Sequence, residues 1–482
     1  MRPAIRRPAL LLALLLVALA ASLPWQLGSR ASAKAEPGAA PVIPGVPHVK
    51  QKPDFCGEAC LAMALKKLGR DVSQDDVFDQ AGVDPLLGRG AYTAELVRAA
   101  QAYGFRTGPV WTKVPAGATA AVEAQLHELA RDLARGVPSI VCMRYDTSRD
   151  APEHFRLILG IDARTGAIIY HEPAEARGAY RQMKRADFLA AWPLRADARS
   201  WSVIRIRLEQ GEVRTPRRLG AHGPAAYAQH VMELRKKLPA GFTALRSPPF
   251  LVLGDEPAAT VRQRTESTVQ WTVAQLKREY FSRDPDHIID VWLFKDRASY
   301  GTHAWRLFRD RPSTPYGYYS AQNRALVMNI STGGGTLVHE IVHPFMRANF
   351  PACPAWLNEG LGSLYEQCAE RDGRIWGRPN WRLPGLQAAI RAGTVPSFAR
   401  LTGTSDREFY DEDPGTNYAQ ARYLAMYLQE RGLLRAFYHR FAASQKSDPT
   451  GRRTLMEVLG ERDLEAFKRR WEAWVMTLRF EG

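Results

Sequence analysis

The segment Thr336-Leu-Val-His339-Glu340-Ile-Val-His343 sets two imidazoles four residues apart. On a helix that spacing puts both rings on one face, with a carboxylate beside the first. Two histidines so placed can hold one Zn²⁺ while Glu340 reaches a metal-bound water as general base. A second segment follows, Pro354-Ala-Trp356-Leu-Asn358-Glu359-Gly360-Leu-Gly-Ser-Leu-Tyr-Glu366. As a helix it brings Glu359 as the third ligand of a His₂Glu site whose fourth position stays open for water. Glu366 lies about two helical turns further on and returns to the face of Glu359, where it orients a zinc-bound histidine.

A different chemistry is written near the other end, in Gln51-Lys-Pro-Asp-Phe-Cys56-Gly57-Glu-Ala59. Cys56 opens a stretch with apolar residues at helical spacing, and a helix N-terminus lowers a thiol pKa and favours the nucleophilic thiolate. The Gln51 amide and the Cys56 backbone N–H would hold an oxyanion. His154 opens a strand-like run and serves as base, and Glu172, before Pro173, orients the imidazole. His171 is a competing candidate, expected on a strand face toward solvent. Cys60 and Cys142 read as core residues.

The elements that must position these groups divide at a Pro, Arg and Gly stretch. Residues 48–208 carry helices near Cys56 to Leu68, Asp75 to Ala81 and Thr93 to Tyr103. Strand-like runs follow at Ser139 to Met143, Phe155 to Ile161 and Ala167 to Tyr170. Residues 209–225 read as a linker. Beyond it, in 226–482, strands are expected at Phe250 to Gly254, Ile288 to Phe294 and Ala325 to Ile330. Helices follow at Thr336 to Ala348, Ala355 to Ala369, Tyr418 to Arg431, Leu433 to Ala443 and Asp463 to Leu478. The fold class is α+β in both parts, the second having a small sheet and a mainly helical remainder. Pro344, directly after the second histidine, kinks its helix without moving His339 and His343 off a shared face.

From about residue 250 to 440 the chain resembles the gluzincin metallopeptidases, especially the bacterial "peptidase MA-like" proteins. A strand precedes the His-Glu-x-x-His helix and a Trp-x-x-Glu-Gly helix follows, here with Ala325 to Ile330 as the edge strand feeding Gly333-Gly-Gly335. The resemblance implies peptide hydrolysis with His339, His343 and Glu359 as zinc ligands and Glu340 as base. Tyr418 matches the tyrosine that stabilises the oxyanion in related enzymes, with Tyr423 as the alternative. From about 45 to 200, including the Trp192 region, the order Gln, Cys, His, acid resembles the papain-fold peptidases that cleave double-glycine leaders from bacteriocins, and their exported relatives. The acid is Glu172 where that family usually has Asp, and no transporter segment accompanies it.

Length and composition agree with two cores: 482 residues exceed what one hydrophobic core usually organises. Residues 1–33 read as a signal peptide, with Arg2, Arg6 and Arg7 before the apolar run Ala9 to Ala21 and Ala31-Ser32-Ala33 as cleavage site. A leader segment at 34–47 follows. The protein is thus expected to be exported, periplasmic or extracellular, and anchored to a membrane only through an uncleaved N-terminal segment. A formal net charge of +16 comes from dispersed arginines, a sign that favours acidic partners such as anionic lipid or wall polymers; no motif supports nucleic acid, and the two peptidase resemblances imply a peptide or protein substrate. Five cysteines leave at least one free thiol; Cys353 and Cys368 flank the Glu359 helix and could brace it as a disulfide, a pairing that spacing alone does not decide. Two alternatives stand beside the two-site peptidase: a zinc peptidase whose N-terminal part only binds peptide, and a non-catalytic envelope protein.

Overall fold

The structure, a computed structural model, describes residues 40–212, 214–412 and 416–480. The segment read as a signal, and residues 34–39 of the leader, lie outside the described residues. No helix among the described residues is long and apolar enough to cross a membrane.

The N-terminal part is built on a seven-stranded sheet. Its order is Trp111–Pro115, Ser200–Arg207, Ser139–Arg144, Glu153–Ile161, Ile168–His171 and Arg181–Met183, with Leu194–Arg195 paired beside Ser200–Arg207. All pairings are antiparallel. Alternation along a strand separates two faces. Ile206, Ile140, Leu157 and His171 are register neighbours on one face, and Met63 of the Cys56–Lys67 helix meets His171 there. Arg205, Val141 and Arg156 share the other, where Asp132 of the Thr119–Ala134 helix pairs with Arg205 and Arg207. That helix, and the strands at 111–115 and 200–207, are additions to the sequence reading. The stretch read as a linker begins with Glu209–Gln210, which pairs with Phe105–Arg106, and is irregular at 211–212 and 214–219.

The C-terminal part holds a five-stranded mixed sheet in the order Thr243–Ser247, Phe250–Gly254, Ile289–Phe294, Ala325–Asn329 and Gly317–Ser320. The three central strands are parallel and the outer two antiparallel. Ala325–Asn329 is therefore not the edge strand: Gly317–Ser320 pairs along its outer side and takes the edge. One face of this sheet packs Val252, Val291 and Leu326 against Leu337, Ile341 and Phe345 of the Gly335–Asn349 helix. The other packs Leu251, Trp292 and Val327 against Tyr227, Val231 and Leu234 of the Pro224–Arg235 helix. Ala225 and Ala228 of that same helix belong to the N-terminal core, so it is wedged between the two cores.

Two local expectations are corrected. The helix expected to reach Ala369 ends at Tyr365, because Cys368–Arg371 turns back onto Arg374–Gly377 as a hairpin. Asp372 and Gly373 at its tip both adopt positive φ, 53° and 73°, the conformation that Asp-Gly favours in a two-residue hairpin loop. The second correction concerns Cys353 and Cys368, which are free thiols like the other three cysteines. Cys368 is carried into the hairpin rather than held on the ligand helix.

Candidate active sites

Helix Gly335–Asn349 runs through Pro344 without a break and carries His339, Glu340 and His343 on one side. Helix Ala355–Tyr365 lies against it and brings Glu359. Gly362 permits the approach, since a Cβ there would lie 3.2 Å from three atoms of the His339 ring. Gly335 is equally constrained: a Cβ would meet the Glu366 carbonyl oxygen at 2.2 Å.

The two Nε2 atoms converge on Glu359, that of His339 at 3.1 Å from Oε2 and that of His343 at 3.8 Å from Oε1. Both Nδ1 atoms face an oxygen from behind. His339 Nδ1 lies 3.1 Å from Glu366 Oε1, and His343 Nδ1 lies 3.1 Å from Asn358 Oδ1. Glu366 is in turn held by Arg382 and by the Asn380 amide, which donates to Oε2 at 3.2 Å. Glu340 Oε2 stands 3.8 Å from His343 Nε2, and donor atoms of His339, Glu340 and His343 all lie within 4.8 Å of one another.

These residues fit a zinc ion. Bonds of about 2.0–2.1 Å in a tetrahedron put neighbouring ligand atoms ~3.3 Å apart; the 3.1 Å between His339 Nε2 and Glu359 Oε2 is close to that spacing, and His343 Nε2 stands 3.8 Å from the other carboxylate oxygen. Nδ1 partners that leave Nε2 free are the arrangement by which proteins orient metal-binding imidazoles. Electrostatics point the same way, because three carboxylates crowd two imidazoles in a buried site. Burial opposes the charge of His339, yet the bonds to Glu359 and Glu366 carry its pKa well above the usual value. Burial also opposes ionisation of Glu359, and His339, His343 and Tyr410 bring it down to about 2. For Glu340 burial dominates and the pKa is raised.

Tyr418 opens the Asn417–Glu430 helix and lines a cleft of about 660 Å³ together with His339 and Glu340. Tyr423 is engaged elsewhere, its buried hydroxyl accepting the Asn380 N–H at 3.1 Å. Three participants are absent from the sequence reading. Tyr410 donates to Glu359 Oε1 at 2.8 Å, Asn358 holds His343, and Arg382 holds Glu366. Asn358 stands beside Glu359 and could have been found as a neighbour on the ligand helix. Tyr410 and Arg382 come from separate elements and carry no spacing signal.

At the thiol site the structure assembles the imidazole and the acid. His154 Nε2 faces Glu172 Oε1 at 2.5 Å, and Arg156 Nε donates to Glu172 Oε2 at 2.7 Å. Burial opposes ionisation of Glu172, but the His154 bond and the charges of His154 and Arg156 hold its pKa below the usual range. Gln51 is tied to this corner by its N–H, which donates to Pro173 O at 2.8 Å, and its side-chain Oε1 is buried without a described partner. Cys56 sits at the helix start, in contact with the residue after His154: the backbone of Phe155 hydrogen-bonds its sulfur.

The expected depression of the Cys56 pKa is not found. Burial pushes it up to about 11, with the Phe155 bond opposing and the charges of Glu58 and Asp54 adding. His171 is likewise corrected, being fully buried rather than solvent-facing. Its Nδ1 lies 3.4 Å from Met63 Sδ and its ring packs on Tyr180, because the helix covers that face of the sheet. Burial lowers its pKa to about 4. Cys60 and Cys142 are buried as expected, and Trp192 is buried with its indole N–H on Ile204 O.

No curated protein matches the sequence. Residues 43–198, however, match the Peptidase_C39 like family, and the match supports a papain-like cysteine-peptidase domain at the N-terminal side of the chain, acting on peptide or protein.

Proposed function

We propose that the chain is an exported peptidase with two sites, a zinc site on the Gly335–Asn349 and Ala355–Tyr365 helices and a thiol site at Cys56. The observation that carries the zinc reading is the convergence of both histidine Nε2 atoms on Glu359 while Glu366 and Asn358 occupy the Nδ1 atoms. His339, His343 and Glu359 would hold the ion, which when bound supplies a Lewis acid and acidifies water. Glu340 accepts the proton of the attacking water at its carboxylate and returns it to the amide nitrogen as the C–N bond breaks. Tyr418 donates its O–H to the carbonyl oxygen as negative charge develops there. Glu366 and Asn358 keep the two rings in the orientation that leaves Nε2 free.

At the thiol site, His154 Nε2 is directed to Glu172, so Nδ1 is the atom left to take the Cys56 proton. Gln51 would supply the oxyanion donor. A second reading, in which this domain binds peptide without cleaving it, is favoured by the Cys56 pKa of about 11. Iodoacetamide decides between the two. Labelling of Cys56 at pH 6 that is slowed by His154→Ala supports the nucleophile, and labelling no faster than that of Cys60 and Cys142 supports binding alone. For the zinc site, Glu340→Gln should keep its zinc and lose peptide hydrolysis. A variant that cleaves at the wild-type rate removes Glu340 as base.

A further inference from the structure

The cleft in front of His339 and Glu340 has an unusual wall. Among the described residues, no aliphatic side chain lines it. Besides His339, Glu340, Glu366 and Arg382, its wall is made of glycines and threonines, Gln367 and Asn380, and three aromatic rings, Tyr316, Trp381 and Tyr418. The cleft beside Leu189 and Leu194 in the N-terminal part is the contrast, with Val122 and Pro193 also on its wall. A peptide recognised through apolar side chains would find no aliphatic counterpart at the C-terminal cleft.

Two of the rings are exposed to a degree that needs a cause, Trp381 at 61% and Tyr316 at 47%. They come from separate segments, Tyr316 just before the edge strand Gly317–Ser320 and Trp381 just before the Leu383–Arg391 helix. Trp381 also carries an anchored cation on one face of its ring. The Arg382 guanidinium lies 4.1 Å from its ring centroid and 5.6 Å from that of Tyr418, and Arg382 is itself anchored on Glu366. The indole's other face offers a large flat apolar surface with few rotatable bonds to order, and its electron-rich character attracts polarised C–H groups. The Asn380 amide is spent on Glu366 and Arg382, which leaves the threonines, Gln367 and the glycine backbone around the platform to meet a ligand that carries its own hydroxyls and amides. A pyranose ring has both properties: C–H groups on its faces and hydrogen-bonding groups on its rim.

We propose that this cleft takes a sugar-bearing peptide, with the pyranose stacked on Trp381 and Tyr316 and the peptide directed to His339 and Glu340. The inference rests on the zinc-peptidase reading for the fate of the peptide but not for the binding of the sugar. Wall muropeptides and glycosylated proteins share this chemistry, and two probe pairs separate them. One pair is N-acetylmuramyl-L-alanyl-D-isoglutamine against L-alanyl-D-isoglutamine. The other is a threonine peptide with and without a single N-acetylgalactosamine.

Binding is measured calorimetrically on the full chain carrying Glu340→Gln, with the zinc content of each preparation recorded. In at least one pair the sugar should tighten binding by about 3- to 10-fold, the worth of one aromatic contact. Trp381→Ala should abolish that difference and Trp381→Phe keep most of it, while Tyr316→Ala reduces it independently. The responding pair names the source. Equal binding of sugar-bearing and bare probes in both pairs overturns the proposal, as does a sugar preference that survives both alanine variants. A retained preference in protein that holds no zinc would instead overturn the peptidase reading and leave the sugar site standing.

Discussion

Replacing Glu366 by Gln changes one atom and should cost the site much of its grip on zinc. Glu366 Oε1 stands 3.1 Å from His339 Nδ1, while Oε2 is claimed by Arg382 and by Asn380. A glutamine keeps its amide oxygen toward the guanidinium, which can only donate, so its NH₂ turns to His339. There it meets an N–H, donor against donor, if Nε2 is to stay free for the metal. Loss of such an orienting partner weakens metal affinity by roughly 10- to 100-fold, or ~1.4–2.8 kcal/mol. The buried setting of Glu366, whose ionised form is held by His339 and Arg382 against the burial penalty, places the effect toward the upper end. Asn358→Ala, which removes a neutral acceptor from His343 Nδ1, should fall toward the lower end. Competition for zinc against a fluorescent chelator reads both, with circular dichroism confirming the fold. A zinc Kd in Glu366→Gln within twofold of wild type refutes the orienting role.

Two further outcomes follow from packing and burial. Gly362→Ala puts a methyl group 3.2 Å from three His339 ring atoms, so it should destabilise the protein by about 1–3 kcal/mol and lower zinc affinity as the ring is displaced; unchanged thermal unfolding and zinc affinity would contradict the close approach. Glu58, fully buried with Oε1 on the Ala91 N–H, has its pKa raised to about 8 by burial. The folded state therefore binds its proton more tightly than the unfolded chain. Its contribution is fully present below the unfolded value near 4.5 and is lost, at ~1.4 kcal/mol per pH unit, as pH rises toward about 8. Denaturant titrations at pH 5 and pH 8 should show a steeper loss of stability in wild type than in Glu58→Gln; equal slopes would sink the assignment.

What could be read in the sequence was local. The i, i+4 spacing of His339 and His343 needs only a helix, and the helix formed despite Pro344. Glu359 and Glu366 are likewise on one helix or at its end, and both reach His339. What escaped was set by tertiary packing. Tyr410 reaches Glu359 from 51 residues away, a pairing that no periodicity encodes. The edge strand Gly317–Ser320 is short and only partly buried, so its alternation is faint and Ala325–Asn329 passes for the edge. By contrast, the early end of the ligand helix at Tyr365 escaped although the Asp372-Gly373 turn of the hairpin that follows is a local signal. His171 shows the limit from the other side: its burial depends on which face of the sheet the Cys56–Lys67 helix covers.

The thiol site divides in the same way. His154 on one strand and Glu172 just past the end of the next meet as their order suggested, and Arg156 joins them because alternation places it on the face of His154. The expected activation of Cys56 considered the helix N-terminus but not the burial of the sulfur or the acids Glu58 and Asp54 beside it. Burial outweighs the helix end here, since a desolvated thiolate loses far more than a partial dipole returns.

The measurement that bears most directly on the zinc site is the metal content of the purified full chain and of its His343→Ala variant, read by mass spectrometry of the metals. One zinc ion per wild-type chain and background zinc in His343→Ala is the expected result. Full occupancy in His343→Ala, or no zinc in wild-type protein purified without chelator and supplied with the ion, would contradict it.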